Sequence, residues 1–222
     1  HDAALALLTD SHCAMWTERA GNGPFSCPAP ALRIDRHGRY AVQRQALPRA
    51  SVMDQADLPT DATLQALAER TGHLLRDTHH RLVTAESCTG GWIAKAVTDI
   101  AGCSDWFDCG MAAYSYEAKQ ALLGVNPHTL ETHGAVSRET VIEMVSGALV
   151  NSGASVAVAV TGIAGPGGGS DDKPVGTVWI GWKRRGGYAS ARLFQFDGDR
   201  DAVRRQTVAA ALAGLAETVD AR

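Results

Sequence analysis

The sequence predicts an α/β fold, namely a three-layer α/β/α sandwich with a mixed, mostly parallel sheet. From residue 60 onward, segments with helical spacing of apolar residues alternate with short apolar runs, which is typical of strands that are covered by helices. The run "SVAVAVTG" (155–162) is almost continuously apolar, as expected for a strand buried on both faces. The segment "RRGG" separates two later strand-like runs and predicts a hairpin, so one strand pair must be antiparallel.

The elements are predicted in the following order. A first helix over roughly 60–76 places Leu64, Leu67, Leu74 and Leu75 on one face. Ser137 is a good N-cap for a helix that begins at the next residue, and "NPHTLETHGA" before it is predicted as a loop. The other elements are strand 81–86, helix 89–100, strand 107–115, a short helix over "YEAKQALLG" closed by Gly124, strands 155–162, 175–183 and 188–196, and a last helix over 199–216.

The first part of the chain differs from the rest. Residues 1–52 contain scattered prolines and arginines with little sustained periodicity, which predicts an extension that is poorly structured or non-native, apart from a short hairpin around "RIDRHGRYAV". Met53 opens the regular part and is an alternative start of the native chain. The functional domain is therefore expected over residues 53–222. The opening "HDAALALLTD" lacks the basic head of a secretory signal.

Charge and cysteine content exclude several classes of function. Lys and Arg number 21 against 24 Asp and Glu, a net charge of -3, so the chain has no basic field for nucleic acid. No apolar run approaches the roughly 18 residues of a membrane span. The five cysteines are odd in number and lack metal-binding spacing, which indicates reduced thiols in a cytoplasmic protein and no metal site.

The stretch "TAESCTGGWIAKA" (84–96) contains the first candidate site. Ser87 ends a predicted strand before a helix, where open α/β sheets bind ligands and where free N–H groups can hold an anion. Two other interpretations remain open at this point. Ser87 or Thr89 can simply cap the helix, with Gly90 and Gly91 allowing close packing. Cys88 is a rival nucleophile, because a helix N-terminus lowers thiol pKa values, but it is equally consistent with a small buried side chain.

Two further segments are candidates. In "YSYEAK", Tyr114 and Lys119 follow the second predicted strand. A desolvated lysine can take a proton from a serine, although a solvated helix lysine has the same pattern. The segment "TGIAGPGGGSDDKPVGT" (161–177) is rich in glycine after a buried strand. It suits either a phosphate cradle or a flexible surface loop, since the G-K-[ST] ending of a P-loop is missing.

Several long blocks in the same order resemble the nicotinamide mononucleotide amidohydrolase family, the C-terminal domain of the competence/damage-inducible protein CinA. They are "TAESCTGGWIAKAVTDIAGCSDWFDCGMAAYSYEAKQALLGV", "HGAVS", "VTGIAGPGGGSDDKPVGTVWIGW" and "FDGDRDAVRRQ". The resemblance covers roughly residues 60–220 and does not extend to residues 1–52. No segment resembles the N-terminal nucleotide-processing domain of full-length CinA proteins, so the chain looks like the stand-alone deamidase.

The resemblance implies hydrolysis of the nicotinamide mononucleotide carboxamide, without metal or cofactor, in pyridine nucleotide recycling. It also implies a homodimer. By this similarity Ser87 is the nucleophile, Lys119 the base and Tyr114 an assisting group. In the mechanism hypothesised on this basis, Tyr114 relays the Ser87 proton to Lys119, and the N–H groups around Thr89 and Gly90 hold the oxyanion. The residues expected to contact the substrate lie at the first helix start, in the glycine-rich loop and at the start of the last helix: Glu86, Thr89, Gly90, Gly91, Thr161, Gly162, Gly165, Gly176, Thr177, Arg200 and Arg204. Glu86 is equally suited to orienting Lys119 or a ribose hydroxyl and to holding the helix start through backbone N–H groups.

Overall fold

The computed structural model describes residues 33–34, 40–41 and 58–220. The chain divides into two units, His1–Pro48 and Arg49–Arg222. In the first unit, strands β1 (Arg33–Ile34) and β2 (Tyr40–Ala41) pair antiparallel, which confirms the short hairpin expected in this segment. The rest of the predicted extension 1–52, and Met53, lie outside the described residues.

The second unit is a five-stranded sheet with helices on both faces. Its elements in chain order are α1 (Asp61–Asp77), β3 (Leu82–Glu86), α2 (Trp92–Thr98), β4 (Phe107–Ala112), α3 (Tyr116–Leu123), α4 (Pro127–His133), α5 (Arg138–Val150), β5 (Val156–Gly162), β6 (Thr177–Arg184), β7 (Ser190–Gln195), α6 (Arg200–Ala213) and α7 (Leu215–Asp220). No helix among the described residues combines the length and apolarity needed to cross a lipid bilayer.

The sheet has the strand order β4-β3-β5-β6-β7. Strand β3 runs parallel to β4 and to β5, whereas β6 runs antiparallel to β5 and to β7. The mixed, mostly parallel sheet is confirmed, because β4, β3, β5 and β7 point in the same direction and only β6 runs against them. The physical reason for the reversal at β6 is the glycine-rich connection between β5 and β6, which contains no crossover helix and returns the chain in the opposite direction.

Two apolar layers enclose the sheet, as the three-layer prediction requires. Helices α1, α2, α6 and α7 pack on one face with Leu82, Val156 and Val158 of the strands. Helices α3, α4 and α5 pack on the other face with Val83, Ala85 and their strand neighbours. Because side chains alternate along a strand, the end of β3 presents Glu86 to the α2 face and the following Ser87 to the α3 face.

Helix α3 lies unusually close to α5. A Cβ atom on Gly147 of α5 would overlap the carbonyl of Leu123, the last residue of α3. Gly124 then adopts a left-handed conformation with φ +63° and caps α3, as predicted. The absent side chain at Gly147 therefore allows the end of α3 to lie against α5 in the same layer.

Several element boundaries differ from those predicted. The segment predicted as a loop before Ser137 contains α4, which begins with Pro127 after the Asn126 cap, a favourable combination at a helix start. Strand β4 ends at Ala112 rather than at residue 115, so Tyr114 lies beyond the strand. The last helix is divided at Gly214, which packs against the ring of Trp182.

Candidate active site at the carboxyl edge of the sheet

The β3–α2 loop, residues 87–91, continues directly from the central strand. The N–H of Ser87 donates to the carbonyl of Val160 at 3.0 Å, which extends the pairing of β3 with β5 by one residue. Ser87 is only 8% exposed. Its alternation with Val83 and Ala85 directs it toward the α3 face, so the nucleophile candidate is held by the sheet rather than by a mobile loop.

Glu86 lies beneath this loop and organises it. Its two carboxylate oxygens accept five hydrogen bonds, and the residue is 1% exposed. The donors are the hydroxyls of Thr84 and Thr89 and the N–H groups of Gly91, Ile93 and Ala94. Helix α2 begins at Trp92, three residues later than predicted, and the N-cap residue provides no side-chain cap of its own. Of the alternatives for Glu86, the structure therefore favours anchoring of the helix start over contact with a substrate.

The two glycines of the β3–α2 loop allow the chain to turn sharply between the strand and the helix. Gly90 and Gly91 have φ angles of +62° and +95°, which residues with a side chain rarely adopt. The N–H of Gly90 donates to the carbonyl of Ser87 at 3.1 Å, and Thr89 is fully buried with its hydroxyl on Glu86. The N–H groups of Cys88 and Thr89, by contrast, donate to no oxygen atom of the described residues. These two N–H groups contact the Cys88 sulfur, a weak acceptor, whereas the N–H of Gly90 is engaged within the loop.

Lys119 reaches Ser87 directly. Its Nζ lies 2.9 Å from Ser87 Oγ, 2.9 Å from the carbonyl oxygen of Ala113 and 3.0 Å from that of Tyr114. The lysine is 1% exposed and projects from the first turns of α3, whose N-cap Ser115 accepts from the N–H of Ala118. The two side chains expected to act as nucleophile and base are therefore within hydrogen-bond distance of each other.

Burial lowers the pKa of Lys119 from 10.5 to about 8. An ammonium group loses hydration on burial, and no carboxylate accepts a hydrogen bond from Nζ among the described residues. Its three partners are neutral oxygens, which compensate only part of that loss. A substantial fraction of the amine is therefore neutral slightly above neutral pH.

The side chains of Tyr114 and Cys88 take no part in the contact between Lys119 and Ser87. The side chain of Tyr114 is 63% exposed, and its hydroxyl lies 3.3 Å from Arg200 Nη2. Tyr114 thus serves Lys119 through its carbonyl, and the phenol is not between Lys119 and Ser87 as a relay would require. Cys88 packs inward in the α2-side core, and burial raises the pKa of its thiol to about 12. It remains a neutral thiol near pH 7.

In the glycine-rich loop, most predicted ligand residues hold the loop itself. Thr161 donates through its hydroxyl to the carbonyl of Ala135 at 2.7 Å, and Thr177 to that of Pro174 at 2.7 Å. A Cβ on Gly162 would lie 2.7 Å from a methyl of Val178. Gly176 has φ +91° and faces the carbonyl of Phe196. These four residues, Thr161, Gly162, Gly176 and Thr177, therefore have structural reasons for their identity.

A cavity of about 510 Å³ lies between the glycine-rich loop and the start of α6. Its lining includes Ala164, Gly165, Arg200 and Arg204. The N–H groups of Ala164 and Gly165 donate to no atom of the described residues. Arg200 donates to the carbonyl of Gly165 at 2.8 Å, and Arg204 donates to the carbonyl of Thr89 at 2.7 Å. Arg204 therefore connects this cavity to the β3–α2 loop.

The cavity favours an anion. Within the described part of the chain, neither Arg200 nor Arg204 forms an ion pair with a carboxylate. The two aspartates that also line the cavity are engaged elsewhere. Asp199 caps α6 by accepting from the N–H of Ala202 at 2.9 Å, and Asp201 pairs with Arg205 at 2.6 Å. Two guanidinium groups remain without a carboxylate partner.

Sequence reasoning missed the carbonyls of Ala113 and Tyr114 and the cap at Ser115. The cap had a signal, because a serine directly before "YEAK" is a standard helix start. The two carbonyls had none, since any residue type supplies the same backbone oxygen.

These features define a three-layer α/β/α protein with a serine–lysine pair at the carboxyl edge of its sheet. The CinA C-terminal domain family model matches residues 64–219. The chain therefore belongs to the CinA C-terminal domain family, which confirms the resemblance found in the sequence.

Relatives and solved structures agree with this assignment. The nicotinamide-nucleotide amidohydrolase PncC of Escherichia coli (strain K12) is 52% identical over 156 residues, which are 70% of this chain and 94% of the relative. PncC of Pseudomonas putida is 53% identical over 152 residues, 68% of this chain and 94% of the relative. The crystal structure of competence/damage inducible protein CihA from Agrobacterium tumefaciens matches with a TM-score of 0.69 and 46% identity, covering 72% of this chain and 97% of that one.

Proposed function

We propose that this chain hydrolyses the carboxamide of nicotinamide mononucleotide to give nicotinic acid mononucleotide and ammonia. The observation that carries the proposal is the 2.9 Å contact between the Lys119 amine and the Ser87 hydroxyl, in a chain 52% identical to a nicotinamide-nucleotide amidohydrolase. A serine needs a base to become a nucleophile, and a buried lysine is a suitable one. Pyridine nucleotide recycling is the corresponding proposed role.

The hydrogen-bond geometry suits a lysine base. A protonated Nζ has three hydrogens and three acceptors, so it donates to Ser87 as well as to the carbonyls of Ala113 and Tyr114. After loss of one proton, the two remaining hydrogens satisfy the carbonyls, and the lone pair is left toward Ser87 Oγ. The neutral amine is thereby oriented to accept the hydroxyl proton directly, without Tyr114 as an intermediary.

The proposed reaction proceeds through an acyl-enzyme. Ser87 Oγ attacks the carboxamide carbon while its proton moves to Lys119, and the carbonyl oxygen becomes an oxyanion held by the N–H groups of Cys88 and Thr89, which have no oxygen acceptor among the described residues. The Lys119 ammonium then gives its proton to the departing nitrogen, and ammonia leaves. Water then attacks the ester and gives a proton to Lys119, which passes it to Ser87 Oγ as the acid product leaves. Loss of one oxyanion donor typically costs about 3 kcal/mol of transition-state stabilisation.

The substrate phosphate is proposed to lie in the cavity beside this loop. Arg200, Arg204 and the N–H groups of Ala164 and Gly165 provide charged and neutral donors there, and guanidinium groups bind phosphate through paired hydrogen bonds. Gly165 thus keeps its proposed contact with the substrate. The four loop residues with structural roles, and Glu86, Thr89, Gly90 and Gly91, are proposed to shape the site rather than to bind phosphate.

Ammonia release tests the proposed substrate against other small amides. Wild-type protein is incubated with nicotinamide mononucleotide, nicotinamide or glutamine, and ammonia is measured over time. We expect turnover of the nucleotide and much slower turnover of the two amides that lack the phosphate. Equal turnover of free nicotinamide would favour a general amidase, and binding of the nucleotide without any ammonia would favour a non-catalytic nucleotide-binding module.

The rate is expected to rise with pH. The lowered pKa of Lys119, about 8, means that the neutral base is the minor form at pH 7 and the major form at pH 9. We therefore expect kcat/KM for nicotinamide mononucleotide to increase about tenfold between pH 7 and pH 9, because the rate follows the neutral fraction. A profile that is flat or falling over this range would show that the ammonium form is active and would rule out the lysine base.

Other expectations from the sequence remain predictions. They are a cytoplasmic location, no nucleic-acid partner, and a homodimer, for which sedimentation equilibrium is the direct measurement. The proposed chemistry uses only protein groups and water, so it requires no metal or cofactor.

A further inference from the structure

Arg204 has an unusual set of contacts for a helix arginine. Its Nη2 donates to the carbonyl of Thr89 at 2.7 Å, and its guanidinium carbon lies 4.9 Å from the ring centroid of Trp92, the first residue of α2. Its Nε is buried and has no hydrogen-bond partner in the described part of the chain. One side chain from α6 thus contacts both the β3–α2 loop and the helix that follows it.

A contact from another helix is expected to restrict the conformation of the β3–α2 loop. Two consecutive glycines with positive φ angles end it, and glycine gives a chain greater conformational freedom than other residues. Glu86 fixes the loop from below through Thr89 Oγ1 and the N–H of Gly91. The carbonyl of Thr89 faces elsewhere, and its other donor, the N–H of Trp92, lies at the longer distance of 3.3 Å. Arg204 is the short, charge-assisted partner of this carbonyl.

The position of this carbonyl matters for the proposed chemistry. Thr89 C=O belongs to the peptide group directly after the one that contains the Thr89 N–H, which donates to no oxygen atom of the described residues and is a proposed oxyanion donor. Fixing one peptide plane restricts the torsion angles of the residue between the two planes, and so it restricts the direction of the donor N–H. A displacement of a catalytic group by about 1 Å can lower a rate about 100-fold.

We propose that Arg204 is a positioning residue for catalysis, which sets the orientation of the N–H donors beside Ser87 by holding the carbonyl of Thr89. This inference rests on the proposed function, and it adds a role to the contact with substrate phosphate already assigned to Arg204. A residue that only bound phosphate would affect substrates that carry phosphate. A positioning residue affects any reaction of Ser87 that develops negative charge on oxygen.

The test uses a neutral alkyl fluorophosphonate ester, which carries no anionic group for the cavity to bind. Ser87 Oγ forms a bond to phosphorus, fluoride leaves, and the hydroxyl proton goes to Lys119. Labelling of Ser87 is followed by mass spectrometry for wild type, Ser87→Ala, Arg204→Met, Arg204→Lys and Arg205→Met. In parallel, kcat and KM for nicotinamide mononucleotide and the melting temperature are measured for each variant.

Arg205→Met is the matched control. Arg205 lies 5.0 Å from the same Trp92 ring, but it pairs with Asp61 and Asp201 and donates to no atom of the β3–α2 loop. We expect Arg204→Met to label on the order of 10- to 100-fold more slowly than wild type and to lose kcat by a similar factor. Arg204→Lys, which keeps a donor, should recover part of both rates, and Arg205→Met should label within about twofold of wild type.

Each outcome separates the two proposals. If Arg204→Met labels at the wild-type rate and only its KM rises, the positioning role is overturned while the proposed function stands. If wild type labels but does not hydrolyse the nucleotide, the proposed substrate fails and the labelling rates still decide the role of Arg204. If wild type neither labels nor turns over, both proposals are overturned. Should Arg204→Met fail to fold, a wild-type labelling rate in Arg204→Lys combined with a raised KM would count against the positioning role.

Discussion

Ser87→Ala is expected to lower turnover of nicotinamide mononucleotide by on the order of 1,000-fold or more, because it removes the oxygen that forms the acyl-enzyme. Substrate binding should persist, since the cavity residues Arg200 and Arg204 are unchanged. The loss of one buried hydrogen bond to Lys119 should change the free energy of unfolding by only about 1 kcal/mol. Ammonia release, isothermal titration with the nucleotide and chemical denaturation measure the three quantities.

Cys88→Ala is the control for this experiment, since it changes the adjacent residue and keeps the backbone N–H. Burial raises the pKa of the Cys88 thiol to about 12, so no reactive thiolate is present near neutral pH. Cys88→Ala is therefore expected to retain most of the turnover. An inactive Cys88→Ala combined with an active Ser87→Ala would reverse the assignment of the nucleophile.

Lys119→Met is expected to abolish turnover to a similar extent while keeping the shape of the buried side chain. Methionine fills the same volume but accepts no proton from Ser87. If this variant retained more than about a tenth of wild-type turnover, another base would have to act, because general bases contribute roughly 100- to 10,000-fold.

The same variant separates catalysis from stability. In wild type, the pKa of Lys119 falls from 10.5 to about 8 in the folded state. The folded protein therefore carries a full penalty for a buried ammonium below pH 8, and this penalty is relieved as pH rises from about 8 to 10.5. The free energy of unfolding of wild type relative to Lys119→Met should thus increase by up to about 3 kcal/mol over that range. Denaturant titrations at pH 7.5 and pH 10 give the difference, and a constant value at both would contradict the lowered pKa.

Much of the fold followed from local patterns. The apolar run 155–162, the N-cap at Ser137 and the C-cap at Gly124 each correspond to an element at or near its predicted place. The second antiparallel pair was missed because "TGIAGPGGGSDDKPVGT" indicates only a loop, and a loop by itself does not fix the direction of the next strand. Helix α4 was missed because it has seven residues, too few for an apolar period to be recognised.

The site was predicted in part, and family resemblance was needed for Lys119. Strand alternation alone separates Ser87 from Glu86, since successive residues face opposite sides of the sheet. That argument would have directed Glu86 toward α2 and away from a substrate. The contact between Ser87 and Lys119 joins residues 32 positions apart, and it depends on how α3 packs. No pattern within either segment contains that information.

The contact between Gly147 of α5 and the end of α3 is relevant to the proposed proton transfer, because α3 carries Lys119. The helix that carries Lys119 ends at Leu123, and it approaches its neighbour at a place where no side chain intervenes. The position of Lys119 relative to Ser87 is therefore expected to depend on Gly147, a residue of α5 that takes no part in the reaction. A side chain at this position would displace α3 and so would be expected to change the rate of proton transfer from Ser87 to Lys119, although both reacting groups would be unchanged.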